Sequence, residues 1–327
     1  MKVLFCKCLA ALIFFSASSH LLASADAYSL IDKMSHSFRE LNYQGVFSYQ
    51  QGDELHSLKI THSVINGEEY ERLEHLDGNR RDIVRHGHGL DCIHPGHKIV
   101  RMLAEQSLVE SNKNDQQSRV LPERITNFYH FSTVGTGRIA GRNVTKLLLS
   151  PKDAHRFTRQ LALDDETGLL LQSTLIGQAN KVLERFQFVE IAVGEAVSES
   201  YFRESESSHQ APHIGPLPES AESLTIDNRN WSVKWIPGGY TPVIESRDSL
   251  KDDMATFTDG MSVFSVFLER SNATALSAEG QSQRGATIAY SKPLLLAGRP
   301  HRVTVVGEIP RQTAQLVAQS IVLVKPQ

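Results

Sequence analysis

The sequence predicts a two-domain α+β protein, and three observations support that prediction. Residues 26–197 open with one amphipathic helix and continue as a long meander of strands, which is typical of an open antiparallel β-barrel with packed helices. Residues 198–224 are rich in Ser, Glu and Pro and lack strand alternation, as in an interdomain linker. Residues 225–327 mix strands with a helix, which predicts a smaller C-terminal α+β domain.

The first 25 residues have the order of a secretory signal peptide. Lys2 and Lys7 precede an apolar run at 9–15, and the small residues 23–25 provide a cleavage site after Ala25. The alternative, a membrane anchor, needs about 20 consecutive apolar residues, whereas serines interrupt this run from position 16 onward. We therefore expect a soluble, exported protein.

Cleavage would leave Cys92 as the only cysteine, because Cys6 and Cys8 lie in the leader. No internal disulfide can then form, and stability must come from burial of apolar side chains. The formal charge of the whole chain is −3 and becomes more negative without the leader lysines. Since there is also no basic stripe with interleaved aromatic residues, we expect no nucleic-acid partner.

The strands and helices follow from periodicity and turn signals. The first helix has an apolar stripe formed by Leu30, Met34, Phe38 and Leu41. Strand candidates 45–50, 54–64 and 68–76 are separated by turn signals such as that at 66–67. Five more candidates are FYHFSTVGTGRIAG, NVTKLLLS, HRFTRQLALD, LLLQSTLIG and KVLERFQFVEI.

The C-terminal segment supplies a second set of elements. WSVKW (231–235) alternates like a strand, and 261–270 and 301–309 are further strand candidates. Pro310 is placed to open a helix that continues through Val322, with an apolar face.

Several long segments resemble the MucB/RseB family across essentially the whole exported chain. The segments are LDGNRRDIVRHG (76–87), YHFSTVGTGRIAGRNVTKLLLSPKDAHRFTRQLALDDETGLLL (129–171), WIPGGYTPVIESRD (235–248), DGMSVFSVFLER (259–270) and VTVVGEIPRQTAQLVAQSI (303–321). The resemblance implies an N-terminal domain similar to the lipoprotein carriers LolA and LolB, joined to a smaller domain. It also implies a periplasmic negative regulator of an envelope-stress sigma factor of the sigma-E/AlgU type.

The same resemblance implies the partner and the mode of action. Members of this family bind the periplasmic domain of a transmembrane anti-sigma factor of the MucA/RseA type and protect it from regulated proteolysis. Release is proposed to follow binding of lipopolysaccharide or lipid acyl chains. A periplasmic lipid or lipoprotein carrier of the LolA/LolB type is the alternative, although a bare carrier would not need the additional C-terminal domain. The sequence leaves the oligomeric state open, including a homo-oligomer.

The residues themselves give no catalytic signature. GTGRIAG (135–141) lacks the spacing of a dinucleotide fingerprint and lies between strands. GMS (260–262) begins like a nucleophile elbow, but Phe264 stands where the closing glycine belongs. We therefore expect a binding protein that is not an enzyme and needs no cofactor.

A histidine-rich stretch, HGHGLDCIHPGH (86–97), is the only candidate metal site. His86, His88, Cys92 and His94 could approach one another across a hairpin and form a partial zinc set. The spacing lacks a C-x-x-C or H-E-x-x-H core, and a solvated loop with one semi-buried thiol is the interpretation we favour. pH sensing by the imidazoles, which titrate near ~6.5, stays open as well.

Two sets of side chains are candidates for binding. Alternation places three pairs on single strand faces that would line an acyl-chain pocket or fill a closed core: Phe47 and Tyr49, Leu58 and Ile60, and Tyr129 and Phe131. The small domain contains residue types enriched in interface anchors, namely Trp231, Trp235, Tyr240 and Arg270. The two tryptophans, four apart in one predicted strand, could equally be core residues.

Overall fold

The computed structural model describes residues 18–79, 82–86, 123–195, 197–203, 231–243, 254–271 and 279–324. It contains two domains, each built mainly from one antiparallel sheet. This arrangement confirms the predicted α+β class. No helix within the described ranges combines the length and the apolar character needed to cross a membrane.

The N-terminal domain is a nine-stranded antiparallel sheet wrapped around one long helix. The strand order is β4-β3-β2-β1-β9-β8-β7-β6-β5, so neighbours in sequence pair as hairpins except where β9 returns beside β1. Its elements are α1 (Ser18–Glu40), β1 (Tyr43–Gln51), β2 (Glu54–Ile65), β3 (Glu68–His75), β4 (Asp82–His86), α2 (Glu123–Phe128), β5 (Tyr129–Ile139), β6 (Arg142–Pro151), β7 (Thr158–Asp164), β8 (Leu170–Ile176), β9 (Val182–Val193) and α3 (Glu199–Arg203).

The core of this domain lies between α1 and the concave face of the sheet. Ile31, Met34 and Phe38 are buried at the three- and four-residue spacing of one helix face. The strands bury alternate residues toward that face, as in the pair Phe47 and Leu58 that lie opposite each other in β1 and β2. The stripe predicted for the first helix is therefore its core-facing surface.

The turn between β7 and β8 fastens α1 to the sheet. Lys33 Nζ donates hydrogen bonds to the carbonyl oxygens of Asp165 at 3.0 Å and Glu166 at 2.9 Å. Ser37 Oγ donates to the carbonyl oxygen of Thr167. The turn lies at one end of the barrel. These hydrogen bonds therefore attach the C-terminal half of α1 to that end.

The C-terminal domain is a six-stranded antiparallel sheet covered by one helix. The strand order is β11-β12-β13-β16-β15-β14, and β10 pairs separately with β17. Ala314, Val317 and Ala318 on the helix are fully buried in a second core. The elements are β10 (Trp231–Val233), β11 (Thr241–Pro242), β12 (Met254–Thr258), β13 (Val263–Arg270), β14 (Gly280–Arg284), β15 (Thr287–Leu296), β16 (Arg299–Gly307), α4 (Arg311–Gln319) and β17 (Ile321–Leu323).

Three sequence-based boundaries differ from the structure. The last helix ends at Gln319, and the residues predicted to complete it form β17 instead, because they pair with β10. The predicted strand WSVKW is a strand only over Trp231–Val233, so Trp235 does not share a strand face with Trp231. The range assigned to the linker contains α3, which follows β9 directly.

Helix α3 packs against the outer face of the barrel. Phe202 is 2% exposed and its ring centroid lies 5.4 Å from that of Tyr70. The Tyr201 hydroxyl donates to Glu74 Oε1 at 2.6 Å, and Arg72 Nη1 donates to the Tyr201 carbonyl oxygen at 3.1 Å. The first residues of the predicted linker therefore belong to the surface of the N-terminal domain.

Candidate functional site

The C-terminal domain closes one end of the barrel. The turn between β14 and β15 contacts the start of β9, where the Ala286 backbone N–H donates to Glu184 Oε1 at 3.0 Å. On the other side, His155 Nδ1 lies 3.1 Å from Thr313 Oγ1 of α4. Gly238 lies directly over the Phe128 ring at the end of α2. These contacts form the junction of the two domains.

A buried ion pair connects the domains at this junction. Arg156, in the loop between β6 and β7, is 4% exposed, and its Nε donates to Asp259 Oδ2 at 2.6 Å. The remaining guanidinium nitrogens donate to the Asp153 carboxylate and to the carbonyl oxygen of Gly238. The Tyr129 hydroxyl donates to the same Asp259 oxygen at 3.0 Å. Both domains thus supply acceptors to one arginine.

Aromatic rings surround the guanidinium and shield it from water. Its central carbon lies 4.7 Å from the Phe128 centroid, 4.9 Å from that of Tyr240 and 5.7 Å from that of Tyr129. Burial lowers the pKa of Arg156, but the charge and hydrogen bond of Asp259 together with the neighbouring tyrosines outweigh burial and leave that pKa above its ordinary value. Burial, reinforced by Asp259, raises the pKa of Tyr129. The arginine therefore stays charged and the tyrosine stays a donor.

The turn at 259–262 extends from the small domain into the barrel. Asp259 Oδ1 accepts hydrogen bonds from the backbone N–H groups of Met261 and Ser262, each at 2.8 Å. The turn so formed places the Met261 side chain, 2% exposed, in the core of the N-terminal domain. One aspartate therefore shapes the turn and carries the ion pair with Arg156.

The candidate lipid-binding side chains lie together on the inner face of the barrel. Five of them are buried in its core beside α1: Phe47, Leu58, Ile60, Tyr129 and Phe131. Tyr49 is partly buried, and its hydroxyl donates to Glu184 Oε2 at 3.2 Å. A small cleft at the domain junction is lined by Tyr129, Phe157, Leu175 and Met261, with Arg159 and Glu308 beside them. Lipid binding by the six side chains remains a prediction.

The candidate interface anchors of the small domain have different environments. Trp231 and Tyr240 are core residues, 2% and 4% exposed, and the Tyr240 hydroxyl hydrogen-bonds to Ser262 Oγ. Trp235 is half-buried and meets the His155 ring edge-on at 5.2 Å, so it lies at the domain junction. Arg270 is exposed at the end of β13. A direct contact between any of them and a partner protein also remains a prediction.

Of the histidine-rich stretch, only His86 lies among the described residues. Its Nε2 is 2.7 Å from Glu68 Oε2, and its ring stacks on Tyr70 with centroids 4.2 Å apart. His88, Cys92 and His94 lie outside the described residues. Within the described ranges, no group of three or more potential ligands comes together to hold a metal ion.

Sequence reasoning missed the residues that join the domains. Arg156 falls within a predicted strand, and Asp153 and Asp259 look like ordinary turn residues. One signal was present for Asp259, because an Asp-Gly pair directly before a strong strand marks a turn with a defined geometry. Nothing in the local sequence pairs it with an arginine 103 positions earlier.

These features define a class of protein in which a small α+β domain closes one end of a helix-filled open barrel. The chain belongs to the MucB/RseB family. Residues 26–206 match the family model of the MucB/RseB N-terminal domain, and 225–322 match that of the C-terminal domain. It is 33% identical over 304 residues to the sigma factor AlgU regulatory protein MucB of Pseudomonas aeruginosa, covering 91% of each chain. It is 28% identical over 320 residues to the sigma-E factor regulatory protein RseB of Salmonella typhimurium, covering 95% of each.

Solved structures of MucB have the same two-domain fold. The crystal structure of MucB in complex with MucA(peri) superposes with a TM-score of 0.69 at 31% identity, covering 92% of this chain and 100% of that one. The crystal structure of MucB alone gives a TM-score of 0.58 at 31% identity, covering 92% and 98%. The whole architecture, including both domains, is therefore shared with MucB.

Proposed function

We propose that the protein binds the periplasmic part of a transmembrane anti-sigma factor, protects it from regulated proteolysis and so represses an envelope-stress sigma response. The main support is the match of both domains to MucB, whose complex with MucA(peri) has been solved. The N-terminal segment with the order of a signal peptide supports action in the periplasm.

The protein acts by binding and carries out no chemical step. The junction groups Arg156, Asp259 and Tyr129 are fully engaged with one another, which suits them to hold the domains together. A carrier that delivers lipid would need an accessible interior, whereas the small domain places Met261 in the end of the barrel. This arrangement favours a regulator over the alternative of a lipid or lipoprotein carrier.

Release follows the binding of lipid or lipopolysaccharide acyl chains between α1 and the sheet. The six inner side chains named above form the apolar surface for this ligand, and since five of them are buried in the same cluster as the core face of α1, the ligand must separate helix from sheet. A ligand shifts the complex only if it binds free and partner-bound protein unequally. By linkage, the anti-sigma segment then weakens lipid binding by the same factor, with about 1–3 kcal/mol of coupling as a typical value.

The repression itself is tested by a cleavage assay. The purified protein is added to the periplasmic segment of the anti-sigma factor and to the protease that makes the first cut, and cleavage should slow in proportion to the bound fraction. Deletion of the gene should raise transcription from promoters that depend on the stress sigma factor. Unchanged cleavage at saturating protein would contradict the proposal.

The release step needs a separate titration. A labelled anti-sigma segment is titrated with the protein in the presence and absence of lipopolysaccharide, and the apparent Kd should rise roughly 5- to 150-fold with the lipid. If lipid leaves the Kd of the folded protein unaltered, only static protection remains.

A further inference from the structure

The three nitrogens of Arg156 each have an acceptor in a different part of the chain. Nε donates to Asp259 and Nη2 to the Gly238 carbonyl oxygen, both in the small domain, while Nη1 donates to Asp153 in the same loop as the arginine. A planar guanidinium presents its donors in a fixed geometry. All three contacts can therefore be satisfied in only one orientation of the small domain against the barrel.

Because the ion pair between Arg156 and Asp259 is buried, it favours one orientation of the two domains over others. The side chains of Arg156 and Asp259 are 0% and 1% exposed. An orientation in which the domains stayed in contact but slid past each other would leave the desolvated Asp259 carboxylate without its cation, and Arg156 with Asp153 as its one charged partner, which is unfavourable. Full separation would return both charges to water. The pair therefore permits a closed orientation and an open one and excludes the intermediates.

The other ion pairs across the junction are longer or more exposed. Arg159 Nη2 lies 3.7 Å from Glu308 Oε2, and these side chains are 12% and 15% exposed. The ion pair between Arg284 and Glu54 is exposed by more than half on both side chains, so water screens it. The apolar cluster at the second contact consists only of Leu175, Leu183 and Ala286, with Phe157 beside them. Apolar contacts are non-directional and tolerate small rotations. Among the ion pairs across the junction, that of Arg156 and Asp259 is therefore the most buried.

We infer that Arg156 and Asp259 form a latch that holds the two domains in the orientation that binds the anti-sigma partner. This inference rests on the proposed function. At equal identity, this chain superposes on MucB with MucA(peri) with a TM-score of 0.69 and on MucB alone with a TM-score of 0.58.

The first variant to test is Asp259→Asn, in the full exported chain. Asparagine keeps the oxygen that shapes the 259–262 turn but loses the more deeply buried of the two carboxylates that compensate Arg156, so the closed state leaves the arginine with Asp153 as its one anionic partner. Asp164→Asn is the matched control. Asp164, 2% exposed, also combines a turn contact with an arginine pair, but its partner Arg142 lies within the N-terminal domain.

Domain opening is measured as a distance that does not depend on the partner. Fluorophores are placed on cysteines introduced at Val189 in the barrel and Leu295 in the small domain, each 64% exposed, in a background with Cys92→Ser. Binding is measured separately, as the Kd for a labelled periplasmic segment of the anti-sigma factor. If Asp259→Asn lowers the closed fraction to about one tenth, the apparent Kd should rise about tenfold.

A milder variant guards against loss of folding. Tyr129→Phe keeps the ring in the core and removes only the hydroxyl that lies 3.0 Å from Asp259. It should open the domains and weaken binding in the same direction as Asp259→Asn but by a smaller factor. Circular dichroism on each variant shows that both sheets are retained.

The outcomes separate the latch from the function on which it rests. The latch is supported if Asp259→Asn lengthens the distance and raises the Kd while the Asp164→Asn control does neither. It is overturned if the distance stays unchanged, or if the domains open and the Kd does not move. Failure of the wild-type protein to bind the segment would overturn the proposed function, and the role of the latch in binding with it.

Discussion

Replacing Phe47 by alanine distinguishes a filled core from a preformed acyl-chain pocket. Phe47 is 1% exposed, and its ring meets those of Phe186 and Phe188 edge-on, with centroids at 4.9 and 5.8 Å. Truncation of a fully packed phenylalanine typically costs about 3–5 kcal/mol, because the neighbours relax only partly into the space left. A ring facing an open pocket would leave less new cavity, and its loss should cost less than about 2 kcal/mol.

The packing around Phe47 favours the larger value. It contacts aromatic rings of the neighbouring strand and belongs to the same buried cluster as Met34 and Phe38 of α1. We expect a loss of about 4 kcal/mol, which at an m-value of about 2 kcal/mol/M lowers the urea midpoint by about 2 M. Phe47→Leu, which removes less volume, should lose less than half of that.

The assay is urea unfolding followed by far-ultraviolet circular dichroism, in the absence of lipid. Trp231 lies in the core of the small domain, whereas Trp235 contacts His155 at the junction, so tryptophan fluorescence in a Trp235→Phe background follows the small domain and serves as an internal control. Leu55→Ala, at a side chain 65% exposed, should change the free energy of unfolding by less than about 0.5 kcal/mol. A loss below 2 kcal/mol for Phe47→Ala would refute the reasoning and indicate a pocket that exists before lipid arrives.

Three further predictions concern polar contacts. Burial raises the pKa of Asp164, but hydrogen bonds from Arg142 and the adjoining turn outweigh it and hold the pKa below its ordinary value; its stabilisation is therefore present above about pH 4 and lost as pH falls through the lower folded pKa. Asp164→Asn should cost about 1–3 kcal/mol at pH 7 and flatten the acid loss in urea titrations. Tyr201→Phe should cost about 0.5–1.5 kcal/mol in the same assay, since it removes the 2.6 Å bond to Glu74. Replacing His86 and the other histidines of 86–97 by asparagine should change the free energy of unfolding by less than about 0.5 kcal/mol. Metal analysis of the purified wild-type protein should find no stoichiometric zinc.

Periodicity was sufficient for most of the N-terminal domain. The five strand candidates after position 128 all form strands, and Met34 and Phe38 face the core as the helical stripe predicts. The first helix and the start of β5 could be predicted because one face is buried and the other solvated, which produces the period in the sequence. The strands β7 and β8 bury consecutive residues, so their prediction depended on apolar, β-prone composition and turn signals. The same pattern could not distinguish an acyl-chain pocket from a closed core, since both have apolar side chains at the same positions.

The domain junction could not be predicted, because its signal is not periodic. Arg156 and Asp259 are one pair among 34 basic and 37 acidic residues, and charged side chains are mostly solvated. Helix α3 was missed for a related reason. Its five residues lie in a Ser- and Glu-rich stretch, and they are helical because Phe202 and Tyr201 find partners on β2 and β3. Both the domain junction and helix α3 therefore depend on tertiary contacts, which local sequence patterns do not show.

The position of Met261 would connect the proposed lipid binding with domain orientation. At one end of the barrel, α1 is fastened to the β7–β8 turn through Lys33 and Ser37. At the other end, the space beside the core is occupied by Met261, whose turn is shaped by the Asp259 carboxylate that also holds Arg156. An acyl chain entering at this second end must displace Met261, and moving that turn pulls Asp259 away from Arg156. Lipid entry and loss of the latched orientation would then be one event, which is the condition for a ligand in the barrel to weaken partner binding elsewhere.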